Sequence, residues 1–588
     1  MNEELTSLSG RRRISRRAAW LTLGIGLWSG LIVFRLVQLQ VIQHGRYKAE
    51  VLEQSRNKLP IRPQRGTIFD RQGKILARSL PVQSVFLSPA PDSSRAAEMG
   101  KVEKLKDVLG LSFSELQAIG KRIERKERFI YLQRQVPDET AEQAISLGLP
   151  GVSAHQETKR FYPNGRLAAH VLGGVNVDEQ GQAGVEFFEN SVLRGRPGLA
   201  LVLRDARRRK YRLETLQDSK PGQDITLTLE ATIQYIAERE LQKAVQASRA
   251  AWGAVIVSQP ASGEILAMAS FPTYDPNDYP PKEPGVGRCR AFQSNFEPGS
   301  TFKVVTAAAA LENEAIGPAE IFDCRENSLD VPGRDIRDYK PFGQMSFDEV
   351  FIHSSNIGAI RVGNRVGERA LRGMIQAFGF GQKTGLALPG EEKGLYRPSA
   401  PWTRRTLPSV SIGYEISVTP LQMLQALNIV ANRGLKVRPR IIKSDIGSGQ
   451  ARPLLPPVSE RVLSTAAADK LAAILELAVE EGTGREARIN GIRVAGKTGT
   501  TQKFDLEQGR YSLDHHLASF AGFFPVESPL LSMIVVIDEP QGLYYGGQVA
   551  APVFRQIGLQ VLRLLNIAPG PRPDRKGVAA EVSPGGRP

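Results

Sequence analysis

Glu297-Pro298-Gly299-Ser300-Thr301-Phe302-Lys303 is the stretch around which the rest of this 588-residue chain is organised. Pro298 and Gly299 interrupt whatever precedes them. From Ser300 the sequence runs through Val304-Val305-Thr306-Ala307-Ala308-Ala309-Ala310-Leu311-Glu312, rich in strong helix formers, so the spacing predicts a helix starting at Ser300. Residues three apart share a helical face, which puts the Lys303 amine within reach of the Ser300 hydroxyl. A serine becomes a nucleophile when a neighbouring base takes its proton, and a partly buried lysine is neutral enough to be that base. The helix N-terminus adds free N–H groups and a positive field. A lone Ser-x-x-Lys is more often an N-cap followed by a solvated lysine. The chain contains such a decoy, Ser55-Arg56-Asn57-Lys58, just after its first apolar segment.

Two further motifs separate Ser300 from the decoy. Ser354-Ser355-Asn356 is a Ser-x-Asn, and Lys497-Thr498-Gly499-Thr500 is a Lys-Thr-Gly. Together with Ser-x-x-Lys they form a known acyl-transfer signature. A second Lys-Thr-Gly, Lys383-Thr384-Gly385, sits in a glycine-rich loop, whereas Lys497 continues the strand pattern Ile492-Arg493-Val494-Ala495-Gly496. A strand there offers an edge on which an extended substrate can pair, and Gly499 is expected to clear space for it.

Working outward, residues 1–17 are polar and carry Arg11, Arg12, Arg13, Arg16 and Arg17, and Ala18 to Phe34 is free of charge. At about 1.5 Å per residue, a helix over 18–34 covers roughly 26 Å, close to a bilayer core, and Leu36 to Ile42 extends the apolar character so that the anchor reads as 18–42. The arginines place the N-terminus in the cytoplasm and the bulk of the chain outside it. No small-x-small cleavage site follows, which favours a retained anchor over a signal peptide; Ser15-Arg16-Arg17 leaves a twin-arginine signal as an alternative. Residues 43–215 read as a mixed, charged, non-catalytic pedestal: a hairpin turning at Arg71-Gln72-Gly73, a helical stretch over 101–149, and a glycine-rich turn region from Val171 to Glu186. Arg65, Asp70 and Arg71 are expected to be structural ion-pairing groups. A linker over 216–222 leads to the catalytic region, 222–565. Its strands (Asp224–Leu229, Trp252–Ser258, Glu264–Ser270, Ile492–Thr501, His516–Phe524, Leu530–Asp538) lie at both ends of the region. Its helices (230–246, 300–312, 358–377, 419–434, 466–481, 551–565) lie mainly between them. This is an α/β fold, a largely antiparallel sheet flanked by helices. Residues 569–588, rich in Pro and Gly, read as a disordered tail.

The net charge of +16 suits anionic headgroups or wall polymers. No zinc-finger spacing, RNA-binding motif or aromatic–basic interleaving points to nucleic acid. Cys289 and Cys324, the two cysteines, are either one disulfide or two buried thiols. His515-His516 reads as a surface or structural pair, and no cluster of His, Cys and carboxylates argues for a metal.

With these motifs in place the chain resembles the class B penicillin-binding proteins, monofunctional peptidoglycan D,D-transpeptidases. The resemblance spans nearly the whole chain: the anchor followed by Arg35-Leu36-Val37-Gln38-Leu39-Gln40, the Arg65–Ala77 stretch, Arg160-Phe161-Tyr162-Pro163, Gly184-Val185-Glu186, Val418-Thr419-Pro420-Leu421-Gln422, and Tyr545-Gly546-Gly547 with Ala550-Ala551-Pro552-Val553-Phe554. No glycosyltransferase module precedes the catalytic region, which speaks against class A. The ending resembles the division-type branch. Gly413-Tyr414-Glu415 departs from the elongation-type Gly-Gln-Gly, and no extra domain follows residue 568, unlike sporulation-type relatives. Glu415 stands where the family commonly has glycine, and Cys289 where a polar residue is more usual.

The resemblance implies a penicillin-binding transpeptidase fold on an elongated α+β pedestal or dimerisation domain, with one transmembrane helix. It implies that Ser300 attacks the carbonyl between the terminal D-alanines of a stem peptide and that Lys303 takes its proton. Ser354 passes a proton toward the leaving D-alanine, Asn356 binds the substrate backbone, and Lys497 keeps the field positive. Thr498 and Thr500 bind the terminal carboxylate beside Gly499, and the N–H groups of Ser300 and Thr500 form the oxyanion hole. No cofactor or metal is implied. The implied partners are stem peptides, β-lactams, the membrane, a polytopic glycan polymerase of the shape, elongation, division and sporulation family, and other division proteins at the septum. β-Lactam sensors and hydrolases share the nucleophile, and a non-catalytic division scaffold is a rival of another class; the anchor and pedestal fit wall synthesis, and the intact triple motif fits an enzyme.

Overall fold

The computed structural model describes residues 3–43, 56–61, 63–204, 210–317, 319–326, 328–331, 334–447, 450–451, 459–505 and 507–567. The tail at 569–588 and Ser55 of the decoy motif lie outside these residues. The chain divides into two units, Met1–Pro63 with Gly195–Pro221, and Gln64–Arg194 with Gly222–Pro588.

In the first unit a helix spans Glu3–Val37. Within it and the turn that follows, Trp20–Ile42 is long and apolar enough to cross a membrane, with a mean hydropathy of 1.7 and none of it buried by protein. The helix starts well before the apolar run, so the segment expected as a polar tail is helical from Glu3. This unit also holds a three-stranded antiparallel sheet in which Gly198–Arg204 lies between Arg56–Ile61 and Lys210–Gln217. Leu216 and Gln217, expected in a linker, therefore close a strand.

In the second unit, pedestal and catalytic residues share a sheet. Asp224–Leu227 runs parallel to Ile68–Phe69 and antiparallel to Ile442–Gly447. Ile68–Phe69 pairs with Ile75–Leu87, which also pairs with Ile130–Val136 and Val152–Phe161. The strand Ile130–Val136 interrupts the stretch expected to be helical. Its alternating burial, with Ile130, Leu132 and Val136 inward, is a period of two hidden in a charged sequence. Helices Arg95–Leu109 and Phe113–Glu124 begin at serine caps, Ser94 and Ser112. Arg65 and Arg160 close on the buried Glu186 carboxylate, at 2.8 and 2.6 Å. Asp70 accepts the N–H groups of Gln72 and Lys74 within its own turn and that of Ala231 at a helix start. Arg71 pairs with Glu264 at 3.3 Å. Arg65, Asp70 and Arg71 thus all make structural contacts.

The catalytic region is labelled separately. Helix α1 (Ala231–Ala247) precedes the hairpin β1 (Trp252–Ser258) and β2 (Ile265–Phe271). Then come helices α2 (Lys303–Glu312), α3 (Asn356–Phe378), α4 (Pro420–Ala431) and α5 (Thr465–Glu480). Strands β3 (Ala495–Asp505), β4 (Arg510–Phe524) and β5 (Leu531–Asp538) and helix α6 (Gly546–Leu564) complete it. The sheet order is β2-β1-β5-β4-β3, antiparallel throughout. Both faces are covered, so β1 is buried at every residue and shows no polar alternation. Val255 and Val257 face one core with Leu241, Phe520 and Phe554, under α1 and α6. Ala254 and Ile256 face the other, with Phe302, Val305 and Leu424, under α2 and α4. Helix α6 starts at Gly546, several residues before the expected Ala551, and carries Pro552 in its first turns. β3, the strand that carries Lys497, is a terminal strand of the sheet, with β2 at the other end.

Candidate active site

Helix α2 does not begin at Ser300. Gly299–Phe302 forms a 3₁₀ turn, and the α-helix starts at Lys303. Gly299 has φ 52°, and Thr301 Oγ1 donates to Pro298 O at 2.7 Å, so the turn is tied to itself. Lys303 Nζ donates to Ser354 O at 2.8 Å and to Asn356 Oδ1 at 2.7 Å, and lies 3.4 Å from Ser354 Oγ. Lys303 thus bridges the Ser300 helix to the Ser-x-Asn motif. Ser300 is part-exposed, while Lys303 is fully buried.

The Ser-x-Asn motif sits where a short helix, Phe347–Ile352, meets α3. Ser354 takes a left-handed conformation, φ 60°, rare for a residue with a Cβ. Ser355 caps α3 by accepting the Gly358 N–H at 2.9 Å. From β3, Lys497 Nζ donates to Ser354 Oγ at 2.7 Å. The Ser354 hydroxyl therefore stands between two buried amines. Burial pulls the Lys303 amine down to about 7, with Asp338 pulling the other way. Lys497 is also driven down, by burial and by the charge of Lys303. Two ammonium ions this close and this dry are unfavourable, so the pair is set to hold a proton on one side.

Along β3, Thr498 faces Phe520, Gly499 faces Ser519 and Thr500 faces Ala518. Thr500 Oγ1 accepts the Gly546 N–H at 2.9 Å, which leaves its own proton to donate outward. Thr498 Oγ1 lies 2.6 Å from Thr483 Oγ1. Gly499 was expected to clear space for substrate. Instead, a Cβ there would meet Ser519 Oγ at 2.4 Å, Thr301 Cγ2 at 2.9 Å and Pro298 O at 3.0 Å. The glycine lets β3 pack against the nucleophile turn itself.

Beside Asn356 opens a cleft of about 600 Å³, lined by Tyr414, Tyr511, Phe504, Gln502, Arg405 and Glu415 among others. Glu415 takes φ 58° and pairs with Arg405 at 2.6 Å. Its backbone explains why glycine suits that position. Tyr511 donates to Glu297 Oε1 at 3.1 Å, joining the cleft to the segment before Ser300. The second Lys-Thr-Gly is elsewhere: Lys383 is exposed and Thr384 donates to Glu391 at 2.5 Å. Cys289 and Cys324 are both free, buried thiols, and burial pushes Cys289 up to about 11. His516 stacks on Tyr544 with centroids 4.1 Å apart, a structural contact.

One residue carries no sequence signal. Asp338 lies far from every motif in sequence, yet its carboxylate accepts from the backbone N–H of Asn356 and from the Ser355 hydroxyl.

Residues 253–558 match the family model of the penicillin binding protein transpeptidase domain, and residues 60–227 match that of the penicillin-binding protein dimerisation domain. The chain belongs to the class B penicillin-binding proteins. Among its relatives, the peptidoglycan D,D-transpeptidase FtsI of Escherichia coli K12 is 33% identical over 569 residues, covering 95% of this chain and 93% of that one. Stage V sporulation protein D of Bacillus subtilis is 33% identical over 557 residues, covering 92% of this chain and 85% of the relative. Among solved structures, a peptidoglycan synthetase from Bifidobacterium adolescentis superposes with TM-score 0.70 at 27% identity, covering 88% of this chain and 98% of that one. Penicillin binding protein 3 from Mycobacterium tuberculosis, complexed with aztreonam, gives TM-score 0.67 at 27% identity, covering 87% and 98%. This penicillin-binding protein therefore has the transpeptidase fold expected of it, and its apolar N-terminal helix fits a membrane-anchored member of the family.

Proposed function

We propose that this penicillin-binding protein is the D,D-transpeptidase that cross-links stem peptides during septal wall synthesis, with Ser300 as nucleophile. The observation that carries the reading is the Ser354 hydroxyl held between the Lys303 and Lys497 amines, 2.7 Å from Lys497, beside the Ser300 turn and a free strand edge. A neutral Lys303 has two N–H bonds, and these meet Ser354 O and Asn356 Oδ1. Its lone pair is left for the Ser300 proton. Lys497 then keeps the positive charge. Ser300 Oγ attacks the carbonyl between the two D-alanines, and the N–H groups of Ser300 and Thr500 receive the oxyanion. The proton passes through Lys303 and Ser354 to the leaving D-alanine amine. An acceptor stem's amine then attacks the acyl-enzyme ester, forms the cross-link and returns the proton to Ser300. The Thr500 hydroxyl and the positive charge of Lys497 serve the substrate carboxylate, with Thr498 beside them.

The N-terminus lies in the cytoplasm and the catalytic region outside the membrane, in line with the arginines that flank the apolar helix. The septal assignment draws on the FtsI relative and on the division-like motifs toward the C-terminus. A polytopic glycan polymerase, met through the anchor and pedestal, is the partner that would supply nascent strands.

Covalent labelling by a fluorescent penicillin tests the chemistry. Wild type should label and Ser300→Ala should not; persistent labelling of the variant would move the nucleophile elsewhere. Fluorescent fusions test the role: concentration at midcell supports the septal reading, and a sidewall pattern replaces it with elongation.

A further inference from the structure

Asp338 follows the strand Arg334–Arg337 of a short hairpin with Ser328–Val331. Its carboxylate makes an unusual number of bonds for a part-exposed group. Oδ2 accepts from Ser355 Oγ at 2.7 Å, and Oδ1 accepts from the backbone N–H of Asn356 and, at 3.4 Å, of Ile357. The neighbouring carbonyl, Arg337 O, accepts from Asn356 Nδ2 at 2.7 Å. Thus the hairpin exit holds the backbone and side chain of Asn356 and the hydroxyl of Ser355, the residues that flank and follow the left-handed Ser354. Three donors at a helix start converge on one carboxylate, where a negative charge is favoured.

We propose that Asp338 is a positioning residue for the transpeptidase reaction, clamping the Ser354–Asn356 turn in its strained form and placing a negative charge beside the base. The inference rests on the reading of Lys303 as the base. The charged groups around Lys303 are few. Lys497 on β3 repels it and Asp338 attracts it. Glu297, before the nucleophile turn, is engaged by Tyr511 and by the Glu415 N–H. On the helices packed against α2, Arg361 of α3 pairs with Glu326 and Glu476 of α5 pairs with Arg493; α4 carries no charge. Arg337 pairs with Asp335 at the surface. Asp338 is therefore the anion whose removal acts directly on Lys303.

The sign follows. An adjacent anion favours the ammonium form, so removing it lets Lys303 lose its proton at lower pH. The experiment is the pH dependence of the second-order rate of penicillin acylation for wild type, Asp338→Asn, Asp338→Ser and Asp338→Glu, with thermal unfolding of each. The neutral variants should acylate about tenfold more slowly at the plateau, as the turn loosens. Their acid limb should move down by at least about half a pH unit. Asp338→Glu, which keeps the charge but not the fit, should slow without moving the limb. A limb that stays in place or moves up in folded neutral variants would overturn the proposal and leave a purely structural clamp. Neutral variants that all fail to fold while Asp338→Glu folds and acylates like wild type would overturn it too, by assigning the residue to stability alone. Labelling of Ser300→Ala is read separately: if it persists, the Lys303 reading itself fails, whatever the Asp338 variants do.

Discussion

At the residue scale the site is a problem of burying two lysines. Burial pulls the Lys303 amine down to about 7, and when it is neutral its two hydrogen-bond acceptors leave one lone pair free. A base must be deprotonated to act, so acylation should be slow at pH 5.5 and rise through pH values around 7 to a plateau. Stopped-flow acylation across that range checks this, and a flat profile would remove Lys303 as the titrating group. Ser300, Lys303, Ser354 and Lys497 were all legible as candidates because each stands in a short motif. Two things were not. The bonds of Lys303 to Ser354 O and Asn356 Oδ1 reach across to the next motif, which a three-residue spacing does not reveal. Asp338 has no motif at all, because its role comes from backbone donors of a segment eighteen residues later, met only when the chain folds.

At the element scale, β3 is both an edge strand of the sheet and the wall of the Ser300 turn. Its position beside β4 puts Gly499 against Ser519, Thr301 and Pro298 O. Gly499→Ala should therefore force the turn apart, at a cost of about 1–3 kcal/mol. Chemical unfolding should show that loss, and penicillin labelling should fall far more than stability, because the displaced turn holds Ser300. A variant that loses neither would show that the strand yields at no cost. The strands and helices of the catalytic region were largely readable from their periodicity, to within a few residues at their ends. The strand Ile130–Val136 was not, because charged neighbours mask its alternation and only its pairing with Ile75–Leu87 fixes it.

At the scale of the whole molecule, the pedestal residues 64–194 and the catalytic region form one compact unit. A shared sheet and the Asp70 bond to the start of α1 join them. Inside the pedestal, Glu186 is fully buried between Arg65 and Arg160. Glu186→Ala would leave two buried cations unmatched, so unfolding stability should drop by about 3–5 kcal/mol. Urea melts followed by circular dichroism check the figure, and a loss below about 1 kcal/mol would mean that water reaches the pair. The motifs, the anchor and the α/β order of elements were carried by the sequence because each depends on neighbours a few residues apart: a helical turn, a strand alternation, an unbroken apolar run. The meeting of Lys303 and Lys497 on one serine hydroxyl, the clamp of Asp338, the packing role of Gly499 and the joining of pedestal to catalytic sheet belong to the folded chain. They are contacts between segments far apart in sequence, and local preferences say nothing of which distant group will arrive.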